Sequence, residues 1–287
     1  MTVKAQKAYM VSVPPRSSGA EIHAAIEAIN GQQGEIRLMA GSLDFATPRE
    51  VCGLRALLEH AAAHADQVIF DCPARGDVHG YLARVDFYEA LPANVKLSRD
   101  PPILRRRDRR KRLLELVRLQ TSDDVERLMD RLQDVARAQL GPGTVAKVCT
   151  TAIGASTDNV VEHARSPIGA LVAAQRYQST GLELAVVDLG HGIPTTLARN
   201  PDHRGLTDLA ALERSLKDGV SSAQEPGRGA GLAELVTAVG RARQSTLRLG
   251  SGRAHLTLSW ENGHHQRQRS VPPYVVRGTW ISLRLEN

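Results

Sequence analysis

Short apolar runs alternate with amphipathic stretches over the first hundred residues. The runs 35–40, 67–71 and 95–98 each predict a short strand. An amphipathic stretch at about 77–91 predicts a helix between the last two strands. This alternation predicts a small α/β domain over residues 1–102.

The clearest helix signal lies between the first two predicted strands. Residues 48–64 repeat apolar side chains at helical spacing. Thr47 is a good N-cap, Pro48 suits the first helical position, and Glu50 completes a capping box with Thr47. We therefore expect a helix that begins at Pro48.

The pattern becomes helical after the break at Pro101-Pro102. Apolar residues three and four positions apart predict a helical connector over residues 103–140, with a second helix that starts at Ser122. The residues that carry this spacing are Leu113, Leu114 and Val117 in the first helix and Val125, Leu128, Leu132 and Val135 in the second.

Residues 141–287 predict a second α/β domain. A helix is expected from Pro142 to about His163, and the runs 171–177 and 182–188 predict a hairpin. Further strands are expected at 245–249, 254–260 and 275–285, with a turn at Asn262-Gly263. The predicted fold class is therefore α/β, with two domains and a helical connector.

Composition places the chain among ordinary globular proteins. Its 287 residues are 42% hydrophobic and 24% charged, which argues against a disordered or fibrous chain. No apolar stretch approaches the length of a membrane span, and the N-terminus lacks the apolar core of a signal peptide. We therefore expect a soluble, cytoplasmic protein without a membrane partner.

The three cysteines are an odd number and lie outside any CxxC pair. Cys52, Cys72 and Cys149 are far apart in the chain, which fits a reducing compartment and excludes a cysteine-rich zinc site. We expect them to be small buried hydrophobic residues.

The net charge of +6 is concentrated in one segment. Residues 105–112 carry six arginines, one lysine and one aspartate, so this run alone accounts for the whole excess. It contains no aromatic residue to stack on a base, so we expect a solvated linker or helix entry rather than a nucleic-acid site.

Three segments of the C-terminal half carry residues suited to nucleotide chemistry. In the first, helical spacing places Asn159, Glu162 and His163 on one polar face of an otherwise apolar helix. In the second, Asp188-Leu189-Gly190-His191-Gly192 follows a strand, and its two glycines permit close backbone approach to a ligand. The third, 227–232, is glycine-rich and opens a helix, where backbone N–H groups can hold phosphate.

In this order, and followed by a strand that contains Gly278-Thr279-Trp280, these segments resemble the N, G1 and G2 boxes of the GHKL ATPase superfamily. That superfamily includes gyrase, MutL, histidine kinases and anti-sigma-factor kinases. The resemblance covers about residues 140–285. It implies an α/β sandwich whose mixed sheet is covered by helices on one face, with ATP and Mg²⁺ as cofactors.

The resemblance also implies roles for single residues. Asn159 matches the asparagine that coordinates Mg²⁺, a hard ion that prefers oxygen ligands. Asp188 matches the acceptor of the adenine amino group, and Thr279 matches the hydroxyl beside it. The residues implied to form the pocket wall and the phosphate loop are Gly190, Gly192, Gly227, Gly229, Gly231 and Leu232, and residues 193–226 are implied to form a lid over the nucleotide.

One position departs from the ATP-hydrolysing members of the superfamily. They carry a glutamate four residues before the magnesium asparagine, where this chain has Ala155. Asp158 lies about 100° around the helix and Glu162 a turn away, so neither is an obvious replacement. Glu162 and His163 remain the catalytic candidates, and binding is better supported than hydrolysis.

Residues 1–102 resemble a STAS-type domain, on the strand 67–71 and the helix that contains Tyr81 to Tyr88. STAS antagonists carry a phosphorylatable Ser or Thr at the start of that helix, and Cys72 to Val78 contain neither. We therefore do not expect this domain to be a phosphorylation substrate of the chain itself.

Three functions stay open from the sequence: anti-sigma-type serine/threonine phosphotransfer, a Mg-ATP-dependent binding switch, and slow ATP hydrolysis or an ATP-gated nucleic-acid machine. The first two imply a STAS-type or sigma-factor regulator as partner and are compatible with a homodimer. His163, His191 and the pair His264-His265 could suggest metal or phosphohistidine chemistry, but the pair adjoins the predicted turn and is expected to be solvated.

Overall fold

The computed structural model of the chain describes residues 8–16, 19–103, 113–137, 151, 154, 165–177, 181–220 and 231–286. The chain divides into two compact units, Met1–Arg107 and Asp108–Asn287. One sheet is parallel and the other antiparallel, and both are accompanied by helices. The protein is therefore mixed α/β, as the alternation of elements predicts.

The N-terminal unit is built on a four-stranded parallel sheet. In chain order its described elements are β1 (Tyr9–Ser12), α1 (Ala20–Ile29), β2 (Glu35–Met39), α2 (Pro48–His64), β3 (Gln67–Asp71), α3 (Gly76–Arg84) and β4 (Val95–Leu97). The strands lie in the order β1-β2-β3-β4. Parallel neighbouring strands must be joined by crossover connections. Each new strand of this sheet is added on the same side, so right-handed crossovers place all the connecting helices on one face of the sheet. That face holds Ile36, Leu38, Val68 and Phe70, each at most 1% exposed.

The strand and helix predictions for this unit are confirmed. β2 and β4 are one residue shorter than predicted, and α3 differs more in length. α2 begins at Pro48, and the Glu50 carboxylate accepts a hydrogen bond from the Thr47 N–H at 2.9 Å, as the capping box predicts. α3 is shorter than the predicted 77–91, because the chain leaves the helix after Arg84 and Asp86 takes a left-handed backbone conformation with φ 58°. β1 and α1 are additional elements.

A buried ion pair on α2 fixes the loop that follows α3. The Arg55 Nε lies 2.7 Å from the Glu59 Oε1, and both side chains are about 95% buried, with 4% and 5% exposed. The remaining guanidinium donors bond to the carbonyl oxygens of Phe87 at 2.7 Å, Glu89 at 2.9 Å and Ala90 at 2.8 Å. One side chain thus satisfies a buried carboxylate and three backbone acceptors.

The C-terminal unit is built on a seven-stranded sheet in which every described strand pair is antiparallel. The mixed sheet that the GHKL resemblance implies is therefore wrong for the described strands. Its described elements are β5 (Leu113–Leu119), α4 (Ser122–Arg137), β6 (Ala170–Tyr177), β7 (Gly181–Asp188), α5 (Gly192–Leu197), a 3₁₀ turn (Pro201–His203), α6 (Asp208–Ser215), α7 (Gly231–Gly240), β8 (Gln244–Gly252), β9 (Ala254–Glu261), β10 (His264–Ser270) and β11 (Val276–Glu286). The strand order is β10-β9-β8-β11-β7-β6-β5. β7 and β11 therefore lie near the middle of the sheet.

The predicted helical connector over 103–140 is wrong in its first part. Leu113, Leu114 and Val117 lie on β5, which pairs with β6, and the register shifts between Leu114 and Val117. A β-bulge adds one residue to a strand, so side chains three positions apart can share a face and imitate helical spacing. The second helix is confirmed as α4, which begins at Ser122. The domain boundaries at 102 and 140 stay a prediction.

The strands predicted in the last 120 residues are confirmed as β6 to β9 and β11. Asn262 and Gly263 have φ values of 49° and 82°, as a two-residue hairpin turn requires. β10 is an additional strand, and its residues are all exposed. The helix predicted from Pro142 to His163 lies outside the described residues, apart from Thr151 and Gly154, which are helical.

The core of this unit lies on one face of the sheet. Val186, Leu249 and Leu283 from the strands are at most 2% exposed, and they share one cluster with Leu212 of α6 and Leu235 of α7. Every second residue of β7 and β11 contributes to this face, and in β7 the intervening residues Ala185 and Val187 are buried as well. The polar residues at the ends of these two strands then lie at one edge of the core.

Among the helices of the described ranges, none is long and apolar enough to cross a membrane. Cys52 and Cys72 are buried, as predicted, and Cys149 lies outside the described residues. The Arg-rich run 105–112 also lies outside them.

We predict that Arg55→Met lowers the free energy of unfolding by about 3–5 kcal/mol, because it removes the guanidinium that forms a buried ion pair with the Glu59 carboxylate. The double variant Arg55→Met/Glu59→Leu should lose less than the single variant. Urea unfolding followed by circular dichroism measures both. Arg127→Met is the control, since Arg127 pairs with Asp124 at a 71% exposed side chain and should cost less than about 1 kcal/mol. Equal losses for Arg55→Met and Arg127→Met would contradict the prediction.

Candidate nucleotide site

Asp188, the last residue of β7, is a buried carboxylate held by backbone donors. The residue is 2% exposed. Its Oδ1 accepts a hydrogen bond from the Gly190 N–H at 2.7 Å, and its Oδ2 accepts one from the Thr279 N–H at 3.2 Å. The Thr279 hydroxyl is also hydrogen-bonded to this carboxylate. The structure therefore brings together two predicted residues from distant segments.

Strand pairing explains why Asp188 and Thr279 meet. β7 and β11 are antiparallel, and Trp280 lies opposite Val187. The next position along each strand places Thr279 beside Asp188. The register between β11 and β8 shifts between Val276 and Trp280, so the backbone around Thr279 departs from a regular ladder and can turn its N–H toward the carboxylate.

Burial raises the pKa of Asp188 to about 7, because loss of water disfavours the ionised form. The hydrogen bonds from Gly190 and Thr279 act in the opposite direction and stabilise the carboxylate. An ionised carboxylate offers about four acceptor positions. Donors of the described residues occupy three of these positions, which leaves one for a further donor.

Gly278 is a glycine because its backbone lies against Asp188. Its φ is +74°, and a Cβ at this position would lie 2.1 Å from the Asp188 carbonyl oxygen and 2.6 Å from its Oδ1. Only a residue without a side chain allows β11 to approach Asp188 this closely. Gly278 appears in the sequence motif, but its contact with Asp188 is not evident from the motif alone.

The turn after Asp188 contains the two predicted pocket glycines. Gly190 donates its N–H to Asp188, and Gly192 has φ +75° at the start of α5. A Cβ on Gly192 would lie 2.6 Å from the Ser251 Oγ and 2.8 Å from the Gly278 carbonyl oxygen. Both glycines thus lie in the same small region as Asp188 and Thr279.

Two buried or half-buried serines that the sequence analysis missed support this turn. The Ser166 hydroxyl accepts from the Leu189 N–H at 3.2 Å and donates to the Gly169 carbonyl at 2.7 Å. Ser251, which is 0% exposed, accepts from the Ile193 N–H at 2.9 Å. Each serine lies beside a glycine or proline in the sequence, a pattern that indicates only a turn.

The glycine-rich segment is described from Gly231 onward. Gly231 is the first residue of α7, so its N–H belongs to the first turn, where backbone donors lack intrahelical acceptors. Leu232 is 7% exposed and belongs to the core, so only its backbone could contact a ligand. Gly227 and Gly229 lie outside the described residues.

The residues predicted on the polar helix face are also outside the described ranges. These residues are Asn159, Glu162 and His163, together with Asp158 and Ala155. Their predicted roles in metal binding and catalysis stay predictions. In the part of the chain that the structure describes, no three His, Cys, Asp or Glu residues cluster as a metal site.

The lid predicted over 193–226 is described only as far as residue 220, and the lid itself stays a prediction. α5 and α6 occupy its first part, and Ala211 and Leu212 of α6 are buried at 2% and 0% exposure. The Asp208 carboxylate, on the first residue of α6, accepts from the Arg253 N–H at 2.6 Å. This part is therefore packed on the sheet, and residues 221–230 lie outside the described ranges.

The three remaining candidate histidines, His191, His264 and His265, are exposed, as predicted for the pair. His264 and His265 begin β10 directly after the Asn262-Gly263 turn, and the His265 ring stacks on Trp260 with centroids 5.0 Å apart. His191 is exposed just before α5. None of these three lies in a cluster of metal-ligating residues within the described chain.

Comparisons with known proteins give little further guidance. No protein-family model matches the chain, and no curated protein matches it. The chain is similar to a solved structure, the 43K ATPase domain of Thermus thermophilus gyrase B in complex with an aminocoumarin, with 14% identity and a TM-score of 0.20. The match covers 37% of this chain and 25% of that chain. A likeness at this score carries no argument about fold or function.

We predict that Gly278→Ala destabilises the protein more than Gly263→Ala. Both positions have positive φ, +74° and +82°, but a Cβ on Gly263 meets nothing within 4 Å. Gly263→Ala should cost about 1–2 kcal/mol for the backbone conformation alone. Gly278→Ala adds overlap with Asp188, so its loss of unfolding free energy in urea should be clearly larger. Equal losses would show that β11 can move away from Asp188 freely.

We also predict that Asp188→Asn changes how stability depends on pH. The folded state holds the Asp188 proton up to about pH 7, whereas the unfolded chain releases it near pH 3.8. Between these values the unfolded state binds fewer protons, so the contribution of Asp188 to stability falls as pH rises. Relative to Asp188→Asn, the free energy of unfolding of the wild type should fall by roughly 1.4 kcal/mol for each pH unit in this window. Above about pH 7 the difference should stay constant.

Thermal unfolding of both proteins from pH 5 to pH 8.5 tests this sign. The amide changes the free energy of unfolding by an amount that does not depend on pH. The test is therefore the slope with pH of the difference in unfolding free energy between the wild type and Asp188→Asn. Asp130→Asn is the control, because Asp130 is exposed on α4. A difference that is flat with pH, or that grows in favour of the wild type as pH rises, would contradict the expected burial penalty.

Proposed function

We propose that the C-terminal unit binds Mg²⁺-ATP in a GHKL-type site and that nucleotide occupancy regulates contacts with a protein partner. The observation that carries the proposal is the buried Asp188 carboxylate, to which the described residues Gly190 and Thr279 donate about three of the four hydrogen bonds that such a group can accept. The adenine amino group is a donor of the required kind. Asp188 would accept it, and the Thr279 hydroxyl would lie beside the same edge of the base.

The surrounding residues fit a nucleotide in the same orientation. Gly190 and Gly192 leave little side-chain bulk at the start of α5, where the base would lie. In the proposed arrangement Gly227, Gly229 and Gly231 hold the phosphates through backbone N–H groups at the start of α7. Leu232 contributes only its backbone, because its side chain belongs to the core.

Magnesium would be held by Asn159 together with the ATP phosphates. An amide oxygen and phosphate oxygens are the hard ligands that Mg²⁺ prefers. When bound, the ion would neutralise phosphate charge. The proposed site needs no other metal-binding residues from the chain.

The proposed activity is regulatory rather than fast hydrolysis. Ala155 occupies the position of the hydrolytic glutamate in the GHKL resemblance, and general-base assistance is typically worth 10²–10⁴-fold. A STAS-like N-terminal unit together with an ATP site supports an anti-sigma-type kinase or an ATP-gated switch in the cytoplasm. A STAS-type or sigma-factor regulator is the proposed partner.

We predict that Mg²⁺-ATP raises the thermal stability of the full chain. A ligand at 100 times its dissociation constant adds about 2.7 kcal/mol to the folded state. Asp188→Ala should abolish the ATP-induced shift, whereas Asp130→Ala, at an exposed position of α4, should retain it. Differential scanning fluorimetry with each variant's own nucleotide-free melting temperature as baseline measures the shift. An unchanged shift in Asp188→Ala would remove the adenine assignment.

Incubation with ATP labelled at the γ-phosphate distinguishes the regulatory activities. Label on a STAS-type partner indicates phosphotransfer, and label that remains on ATP indicates a binding switch. We expect free phosphate to form slowly, and Ala155→Glu to accelerate its release. A wild-type turnover of about 1–10³ per second would show that another residue supplies the base.

A further inference from the structure

The hydroxyl of Ser251 connects two turns that are far apart in the chain. Ser251 lies near the end of β8 and is 0% exposed. Its Oγ accepts a hydrogen bond from the Ile193 N–H at 2.9 Å and donates one to the Gly278 carbonyl at 2.7 Å. The donor lies at the start of α5 and the acceptor on β11. One buried hydroxyl thus satisfies both groups.

The two turns that meet at Ser251 leave no room for side chains. Gly192 and Gly278 have φ values of +75° and +74°. A Cβ on Gly192 would lie 2.6 Å from the Ser251 Oγ and 2.8 Å from the Gly278 carbonyl oxygen. The hydroxyl therefore fills the space between two glycine backbones, and neither turn can shift without breaking one of its hydrogen bonds.

These same turns hold Asp188 from two sides. Gly278 packs against the Asp188 Oδ1, and the next residue, Thr279, donates its N–H to the Asp188 Oδ2. On the other side, Gly190 donates to Oδ1 from the turn that continues to Gly192. The orientation of the carboxylate is therefore set by the two backbone segments that Ser251 joins.

Ser251 itself occupies a fixed position. The following Gly252 has φ +60° and packs against Asp208, and the Arg253 N–H donates to the Asp208 Oδ2 at 2.6 Å. The β8–β9 turn is thereby attached to the first residue of α6. Because Ser251 is fixed in this way, its two hydrogen bonds fix the positions of the Ile193 N–H and the Gly278 carbonyl in the two turns.

We propose that Ser251 is a positioning residue for the adenine contact: it fixes the two glycine turns that orient Asp188 and Thr279, without touching the nucleotide itself. This inference rests on the proposed function. Groups that orient a ligand-binding side chain from behind are typically worth 10–100-fold in affinity at metal sites, and we expect a loss of that order here.

The chain offers a matched control on the same strand. Ser245 of β8 is 2% exposed, and its hydroxyl donates to the Val239 carbonyl at 2.9 Å. Ser245→Ala also removes a buried hydroxyl hydrogen bond, but at the opposite end of β8 from Ser251. A general loss of stability would therefore appear in both variants, whereas a positioning effect would appear only in Ser251→Ala.

The test measures equilibrium binding of Mg²⁺-ATP and of Mg²⁺-tripolyphosphate to the full-length wild type, Ser251→Ala and Ser245→Ala, well below their melting temperatures. We expect Ser251→Ala to weaken ATP binding about 10–100-fold, with tripolyphosphate binding unchanged because it lacks the base. Ser245→Ala should bind both ligands as the wild type does. If Ser251→Ala does not fold, Ser251→Cys, which keeps a weaker donor and acceptor, should show a smaller loss in the same direction.

Three results would overturn the inference: unchanged ATP affinity in a folded Ser251 variant, equal losses for ATP and tripolyphosphate, or the same loss in Ser245→Ala. If the wild type does not bind ATP, the proposed function fails, and the positioning role is then decided without nucleotide. Carbon-13 NMR of the Asp188 carboxyl should give a shifted titration midpoint in Ser251→Ala and an unshifted one in Ser245→Ala. An unshifted midpoint in both would reject the role of Ser251.

Discussion

The Asp188 carboxylate accepts backbone hydrogen bonds from Gly190, two positions later in the chain, and from Thr279, 91 positions later. A buried carboxylate needs such donors, because the free energy lost with its water must be offset inside the protein. This requirement ties β11 to the end of β7 with a definite register. The arrangement of the candidate site depends on that one side chain.

The glycines around Asp188 follow from the same requirement. For a backbone N–H on β11 to reach the carboxylate, the preceding residue must pass within van der Waals distance of Asp188, and only Gly278 permits this approach. The turn containing Gly192 then packs against the Gly278 carbonyl, and Ser251 occupies the space left between them. A cluster that looks like several unrelated motif residues in the sequence is a single set of mutually dependent contacts.

Sequence patterns could predict the elements whose side chains repeat regularly, such as the capped helix from Pro48 and the strands β7 and β11. They failed at β5, because a bulge between Leu114 and Val117 imitates helical spacing. Ser251 could not be predicted either, since its partners Ile193 and Gly278 are 58 and 27 positions away and are chosen by the tertiary fold. Asp188 and Thr279 were predicted through the resemblance to known sequence motifs, and strand pairing between β7 and β11 brings the two residues together.

Burial of Asp188 also links stability to the proposed binding. The carboxylate has given up its water on folding, and this loss of hydration raises its pKa to about 7. The donors of the described residues leave one of its acceptor positions for a ligand. A ligand that donates a hydrogen bond there stabilises the ionised form, and the desolvation cost has already been met during folding. The same contact on an exposed aspartate would have to displace water first and would contribute less. A buried carboxylate that destabilises the ligand-free protein can therefore stabilise the ligand-bound protein. This requires that Ser251 and its two glycine turns hold the carboxylate in position before the ligand binds.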